Sequence, residues 1–408
     1  MPLDFFARIE TNWLVLLIPV IAGLVGWGTN VLALRMTFYP VDFKGIPPYL
    51  GWRGVIPANA ERLSQSMIQL LTEKLLDVKE LFQDSETELE QDLGPMVERI
   101  TTQVVTEIST KIAPENWQRS HQALRDYMVE MIEKSSRNVV LSILSDLKDN
   151  ADQVIDLEGV VTDAIRKDAG LLGHVFTEVA GPELKFIERS GFWFGLLFGL
   201  FQMAVWVYFP AWWVLPVGGF LVGYITNFLA LRLVFEPHDP INFGFFQLQG
   251  LLHKRKNEVA LRFADVMADD VLSPDNMLET ITKGSSSERV FALVEKRINI
   301  VFEDYKKDPM TAMLMPPERI TEAQEDLLER MRTQKPEPDG LVNSFIGRGA
   351  ALRGQLSTKL QALDAKSFEG VLRPAFQADE WKLFVTGAVL GTIAGVLQLI
   401  YLFGDSLG

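Results

Sequence analysis

The sequence predicts an all-α integral membrane protein with four transmembrane helices in two parallel tandem repeats, each repeat carrying a large amphipathic-helical extramembrane region. Three observations lead there. Four runs are apolar over the roughly 20 residues that a bilayer core demands of a helix. A motif of mixed polar and apolar residues recurs at a spacing of about 197 residues. The stretches between the runs carry apolar residues at helical spacing and no strand-type alternation.

The runs come first. Trp13–Phe38, Gly191–Phe209, Trp212–Phe235 and Lys382–Phe403 are nearly free of charge, although 23% of the 408 residues are charged. Mean hydropathy is only +0.12. The chain therefore segregates very apolar from very polar stretches, which a soluble globule rarely needs. The expected boundaries are 13–39 for the first span, 40–190 for the first helical region, 191–236 for the second and third spans, 237–381 for the second helical region and 382–404 for the fourth span. Pro210 and Ala211 alone separate the second and third spans, so these two form a tight hairpin. Trp193, Trp206, Tyr208, Trp212 and Trp213 are placed as an aromatic belt around its ends. Residues 1–12 lack the basic opening and small-residue cleavage pattern of a signal peptide, so the first run reads as a retained span.

Four spans put both long regions on one side of the membrane. Lys44, Arg53, Lys185, Arg189, Lys254, Arg255, Lys256, Arg373 and Lys382 flank the spans on that side, against Arg8 on the other. The positive-inside rule places the helical regions in the cytoplasm.

The repeat is direct. Residues 18–40 and 215–237 are identical at 13 of 23 positions without a gap. The matched special residues include Pro19 with Pro216, Gly26 with Gly223, Thr29 with Thr226, Asn30 with Asn227, Arg35 with Arg232, and Pro40 with Pro237. The closing spans repeat too. Gly191, Gly195, Gly199 and Gln202 reappear as Gly387, Gly391, Gly395 and Gln398, preceded by Ser190 and Thr386. Both copies enter the membrane in the same sense, so the repeat is parallel, about an axis along the membrane normal.

Between the spans, Leu63, Met67, Leu70, Leu71 and Leu75 form one helical stripe. Val259, Phe263, Val266 and Met267 form another, and Val290, Leu293, Val294 and Ile298 a third. Such stripes pack on one another in a bundle or lie on a bilayer or a second subunit. Pro316–Pro317 and the stretch 334–340 interrupt the second region, and residues 284–287 form a short polar linker.

Composition excludes several classes. A formal charge of -14 argues against nucleic-acid binding. The chain has no cysteine, which removes disulfides, thiolate nucleophiles, zinc knuckles and iron–sulfur clusters. No nucleophile elbow or phosphate loop is present. His121, His174, His238 and His253 have no partner at ligand spacing, and Asp265, Asp269 and Asp270 read as a solvated acidic face. No cofactor, metal or catalytic residue is expected.

The candidate sites are therefore membrane motifs. Thr29, Asn30, Thr226 and Asn227 place hydroxyls and amides inside spans. An amide unpaired in hydrocarbon is costly, so each must bond a neighbouring helix or line a polar pathway or lipid headgroup. Arg35 and Arg232 stand at span ends as phosphate anchors. The Gly–Gln ladders are faces for close helix packing. His253, Lys254, Arg255 and Lys256 form a basic cluster suited to anionic lipid headgroups. Their counterparts Pro57, Ala58, Asn59 and Ala60 are uncharged, so the copies differ there.

These motifs resemble a bacterial membrane family called domain of unknown function 445. The resemblance rests on the G-x-x-T-N-x-x-A-L-R core, the F-x-P that follows, the turn at Gly54 and Gly250, the closing Gly ladders and the segment from Leu372 to Trp381. It covers nearly the whole chain and departs from the pattern at Pro57–Asn59, where a basic pair is expected. It implies a bacterial inner-membrane protein and supplies no activity. Two functional expectations follow. One is a non-enzymatic, homo-oligomeric membrane scaffold or envelope-maintenance protein with lipids as partners. The other is a transporter, channel or lipid-transfer device that uses the Thr–Asn sites.

Overall fold

The computed structural model describes residues 13–46, 50–76, 86–150, 156–242, 244, 247–283, 287–333, 349–377 and 380–404. The readings made for residues 1–12, 284–286, 334–340 and 378–379 lie outside them. The chain divides into two compact units.

The first unit comprises Met1–Leu71, Ile165–Met267 and Leu356–Gly408. It holds four helices long and apolar enough to cross a membrane: Trp13–Phe38, Gly181–Tyr208, Val214–Phe235 and Glu380–Phe403. The second begins ten residues before the expected span, because Gly181–Pro182 starts a polar turn that runs into the apolar stretch without a break. The first span packs chiefly on the second and the third chiefly on the fourth; the second and third also pack together. Apolar side chains such as Leu24, Phe201, Phe220 and Ile393 stand outward and exposed, as lipid contact requires of a spanning helix.

The hairpin end is closed by Val15, Ile18, Met203, Trp206, Val207, Val214, Leu215 and Phe403. Trp206 is thus a core residue, its ring centroid 5.0 Å from that of Phe403, and not a belt residue. Trp193, Tyr208, Trp212 and Trp213 are exposed.

After the first span the chain runs through a fixed series. Tyr39 leaves the helix in an extended conformation, donating its N–H to the Arg35 carbonyl. The Tyr39–Pro40 bond is cis. A two-stranded hairpin pairs Lys44–Ile46 with Leu50–Trp52. A four-residue helix, Val55–Ala58, and an eleven-residue helix, Ala60–Leu70, come next. A π-helical turn at Leu71–Leu75 ends the series. The third span is followed by the same elements: cis Glu236–Pro237, a hairpin of Ile241–Asn242 with Gln247–Leu248, helices Leu251–Lys254 and Lys256–Val266, and a π-helical turn at Met267–Val271. Gly54 and Gly250 close matching corners by donating their N–H groups to the Pro40 and Pro237 carbonyls, each at 2.9 Å. A Cβ on Gly250 would lie 2.8 Å from the Phe235 carbonyl carbon, so the corner needs glycine.

The second unit comprises Thr72–Ala164 and Ala268–Gln355. It is a helical bundle. Glu86–Glu107 packs on Gln122–Asp149, which packs on Ser287–Lys307, which packs on Pro317–Thr333. Its core includes Ile108, Met128, Ile132, Leu314, Met315 and Ile320. Asp308 caps the Pro309–Leu314 helix by accepting from the Thr311 N–H. Arg297 grips Asp146 through two bonds of 2.5 and 2.6 Å, and this holds the Asp146 carboxyl below its ordinary range. Both extramembrane regions thus contribute their central parts to one bundle. Amphipathic stripes show that a helix has a partner without naming it.

Candidate functional site

In the membrane part, the asparagines and glycines work as one device. Asn30 is fully buried and donates its amide to the Ile187 carbonyl of the second span at 2.5 Å. Asn227, also buried, donates to the Leu383 carbonyl of the fourth span at 2.8 Å. A carbonyl inside a helix already serves its own ladder, so a side chain reaches it only where the neighbouring residue leaves room. Gly191 and Gly387 leave it: a Cβ at Gly191 would lie 2.7 Å from the Asn30 amide nitrogen, and at Gly387 2.4 Å from that of Asn227. The rest of each ladder brings backbones together. A Cβ on Gly195 would lie 2.3 Å from the Ala22 carbonyl oxygen, and one on Gly391 2.0 Å from that of Gly219.

The hydroxyls do not cross between helices. Thr29 bonds the Gly26 carbonyl at 3.0 Å and Thr226 the Gly223 carbonyl at 3.5 Å, each within its own helix. Gln202 donates to the Leu215 carbonyl at 3.3 Å and ties the second span to the third. Gln398 is buried, as are both asparagine Oδ1 atoms, and these groups make no further hydrogen bond through Oδ1 or, for Gln398, Nε2.

The span ends carry the charge. Arg35 is exposed and lines an open depression of about 620 Å³ with Tyr39, Pro40, Val41, Asp42 and Lys44. Arg232 is exposed too, but pairs with Glu236 at 2.8 Å and lies over the Phe228 ring.

The geometry divides the His253–Lys256 cluster. Lys254 is exposed. Arg255 turns inward to Glu183, an almost fully buried carboxylate, at 2.6 Å, and also binds Glu258. Lys256 donates to the Leu363 carbonyl and lies over the Phe368 ring. His253 is buried, with Nε2 3.1 Å from the Phe235 carbonyl.

His253 does not stand alone. His238, beside the cis Glu236–Pro237 corner, bonds through Nε2 to Glu369 Oε2, and His253 Nε2 lies 3.9 Å from the same oxygen. Glu369, buried in the Ala365–Leu372 helix, also accepts from Arg373, which lies 3.8 Å from Glu236. Ligand atoms of His238, His253 and Glu369 all fall within 4.8 Å of one another. The reading of these two histidines as isolated groups does not hold: they converge with each other and with Glu369, 131 residues beyond His238. Burial, reinforced by His238, holds the His253 ring below its ordinary range, so it is neutral near pH 7.

Fold and site together define an all-α integral membrane protein. A stretch of 103 residues, 24% of this chain, is 30% identical to a UPF0754 membrane protein of Synechococcus elongatus and covers 25% of it. A stretch of 67 residues is 36% identical to a UPF0754 membrane protein of Bacillus mycoides, covering 16% of this chain and 18% of that one. One of 96 residues is 26% identical to a UPF0754 membrane protein of a Cyanothece species, covering 23% and 24%. The chain thus matches these bacterial membrane proteins over a quarter of their length or less. Their names state membrane location and no activity. No family model and no solved structure matches the chain.

Proposed function

We propose that this chain is a non-enzymatic, homo-oligomeric scaffold of the bacterial inner membrane, of the domain-of-unknown-function-445 type, built by internal duplication. The observation that carries this reading is the use made of the intramembrane polar groups. Asn30 and Asn227 each fasten one helix to its partner, and the glycines that admit them are spent on the same contact. Nothing in that arrangement needs a substrate. The recurrence of the bond, the cis corner, the hairpin and the following helices in each half favours duplication. The burial of both amides between helices supports fastening over a polar pathway.

The basic residues flanking the spans support a cytoplasmic location for the helical regions, by the positive-inside rule. Arg35 and Lys44, beside an open depression, and the exposed Lys254 suit phosphate headgroups there. Since the Gly ladders are occupied within the chain, self-association falls to the outward apolar faces and to the helical bundle, where Met313 is 73% exposed. Native mass spectrometry of the full chain released from lipid nanodiscs tests this. A defined multimer is the expected result. A clean monomer at every lipid composition would overturn the oligomeric scaffold.

A further inference from the structure

Beyond the scaffold reading, the corner after the third span carries a donor set that a scaffold does not require. We infer that His238, His253 and Glu369 form a binding site for one divalent transition-metal ion of the zinc type. The site would clamp the Ala365–Leu372 helix to the corner that leaves the third span.

The chemistry of the donors selects the ion. Two imidazoles and one carboxylate suit Zn²⁺ and its neighbours, whereas Ca²⁺ and Mg²⁺ take all-oxygen sets. Two histidines and a glutamate are also a known zinc ligand set, one that leaves a fourth position for water. Tetrahedral zinc with bonds of about 2.0–2.2 Å holds its ligand atoms roughly 3.3–3.6 Å apart. One ligand atom from each of His238, His253 and Glu369 lies within 4.8 Å of the other two. The two imidazole planes are nearly perpendicular, at 88°, with centroids 5.1 Å apart.

A second observation is independent of this proximity. The His253 side chain is 3% exposed and its Nδ1 makes no hydrogen bond among the described residues. A buried ring nitrogen without a partner is an open cost that metal coordination at that nitrogen removes. The Phe235 carbonyl, 3.1 Å from the other nitrogen, is the kind of outer partner that fixes the tautomer of a ligating histidine. Glu369 is likewise oriented from outside, by Arg373. The carboxylates of Asp239 and Glu380 act on His253 and Glu369, and Arg373 offsets part of that negative field. The set belongs to one half of the chain: the matching positions of the first half are Val41, Pro57 and Gly173.

The test uses the untagged full chain in detergent micelles, titrated with Zn²⁺ against a chromogenic chelator, with metal content measured after dialysis. The expected result is one Zn²⁺ per chain, with an upward thermal shift on binding. His238→Ala, at a half-exposed ligand, should lower the affinity by about 100-fold or more, beyond the 10–100-fold typical of outer-shell changes. Glu369→Gln should do the same, and Lys111→Ala, at an exposed position of the helical bundle, should leave binding unchanged. No stoichiometric Zn²⁺ on the native chain, or binding equally tight in folded His238→Ala protein, would overturn the site and leave a hydrogen-bonded His–Glu–Arg network. Should Glu369→Gln fail to fold, the His238→Ala comparison still decides.

Discussion

Gly223→Ala should destabilise the folded protein by about 1–3 kcal/mol or more, the range for an overpacked core, although it adds one methyl group. The added carbon would lie 2.0 Å from the Gly387 carbonyl oxygen and 2.6 Å from its carbonyl carbon. Both are backbone atoms of a facing helix, so no rotamer change relieves the clash and the third and fourth spans must separate. Separation also stretches the bond from Asn227 to the Leu383 carbonyl, which sits one turn along the same seam. Intrinsic propensity acts in the opposite sense, since Gly→Ala inside a helix gains up to about 1 kcal/mol. Gly28 measures that gain alone, because no described residue lies within 4 Å of a Cβ built there. Thermal unfolding in detergent should therefore show Gly28→Ala unchanged or raised and Gly223→Ala clearly lowered. Equal effects from the two would mean the seam is not close-packed.

Arg255→Ala should cost about 3–5 kcal/mol, the penalty for leaving a buried charge uncompensated. Glu183 is the group left behind, at 2% side-chain exposure, with Oε1 bonded to Arg255 and Oε2 without a hydrogen bond. Its place in the first turn of the second long helix recovers part of the loss. The double change Arg255→Met with Glu183→Met should restore most of the stability, because an apolar pair carries no desolvation penalty. A double-mutant cycle read by chemical unfolding measures the coupling. Additive effects would show that the two side chains do not depend on each other. Lys254→Ala, next along the chain and exposed, should stay within about 0.5 kcal/mol of the parent protein, as surface changes do.

The sequence and the fold agree where the physics is local. A bilayer imposes a length and an apolarity that no other setting demands, so the four spans can be read directly. Asn30 and Asn227 could be recognised as paired polar groups because hydrocarbon forbids leaving an amide alone. Which atom receives each amide was not legible, since Ile187 and Leu383 lie on other spans, 157 and 156 residues away. A Gly ladder announces a close approach in the same way whether its partner is in the chain or in a second copy. Only the fold shows that these ladders meet Ala22, Gly26, Gly219 and Gly223 of the same chain. The basic cluster after the third span misleads for a related reason. Arg255 looks solvated until Glu183, 72 residues earlier, is brought beside it. The His–His–Glu set has no local signal at all, for Glu369 lies 131 residues beyond His238. Its one trace in the sequence is that both histidines fall where the first half has none.

In a scaffold of this kind the asparagines of the Thr–Asn motifs fasten helices and the motifs line no aqueous path. The chain has no cysteine, so a single introduced thiol is a clean reporter. Thr226→Cys and Thr29→Cys replace buried side chains, 0% and 3% exposed, by one of similar size beside each asparagine. The measurement is the rate at which a membrane-impermeant thiol reagent modifies each, applied from either side of reconstituted vesicles, with Lys254→Cys as the exposed reference. Lys254→Cys should react readily, while the two buried thiols should react only after the protein is unfolded. Modification of Thr226→Cys or Thr29→Cys in the folded protein at a rate near that of Lys254→Cys would contradict the fastening role.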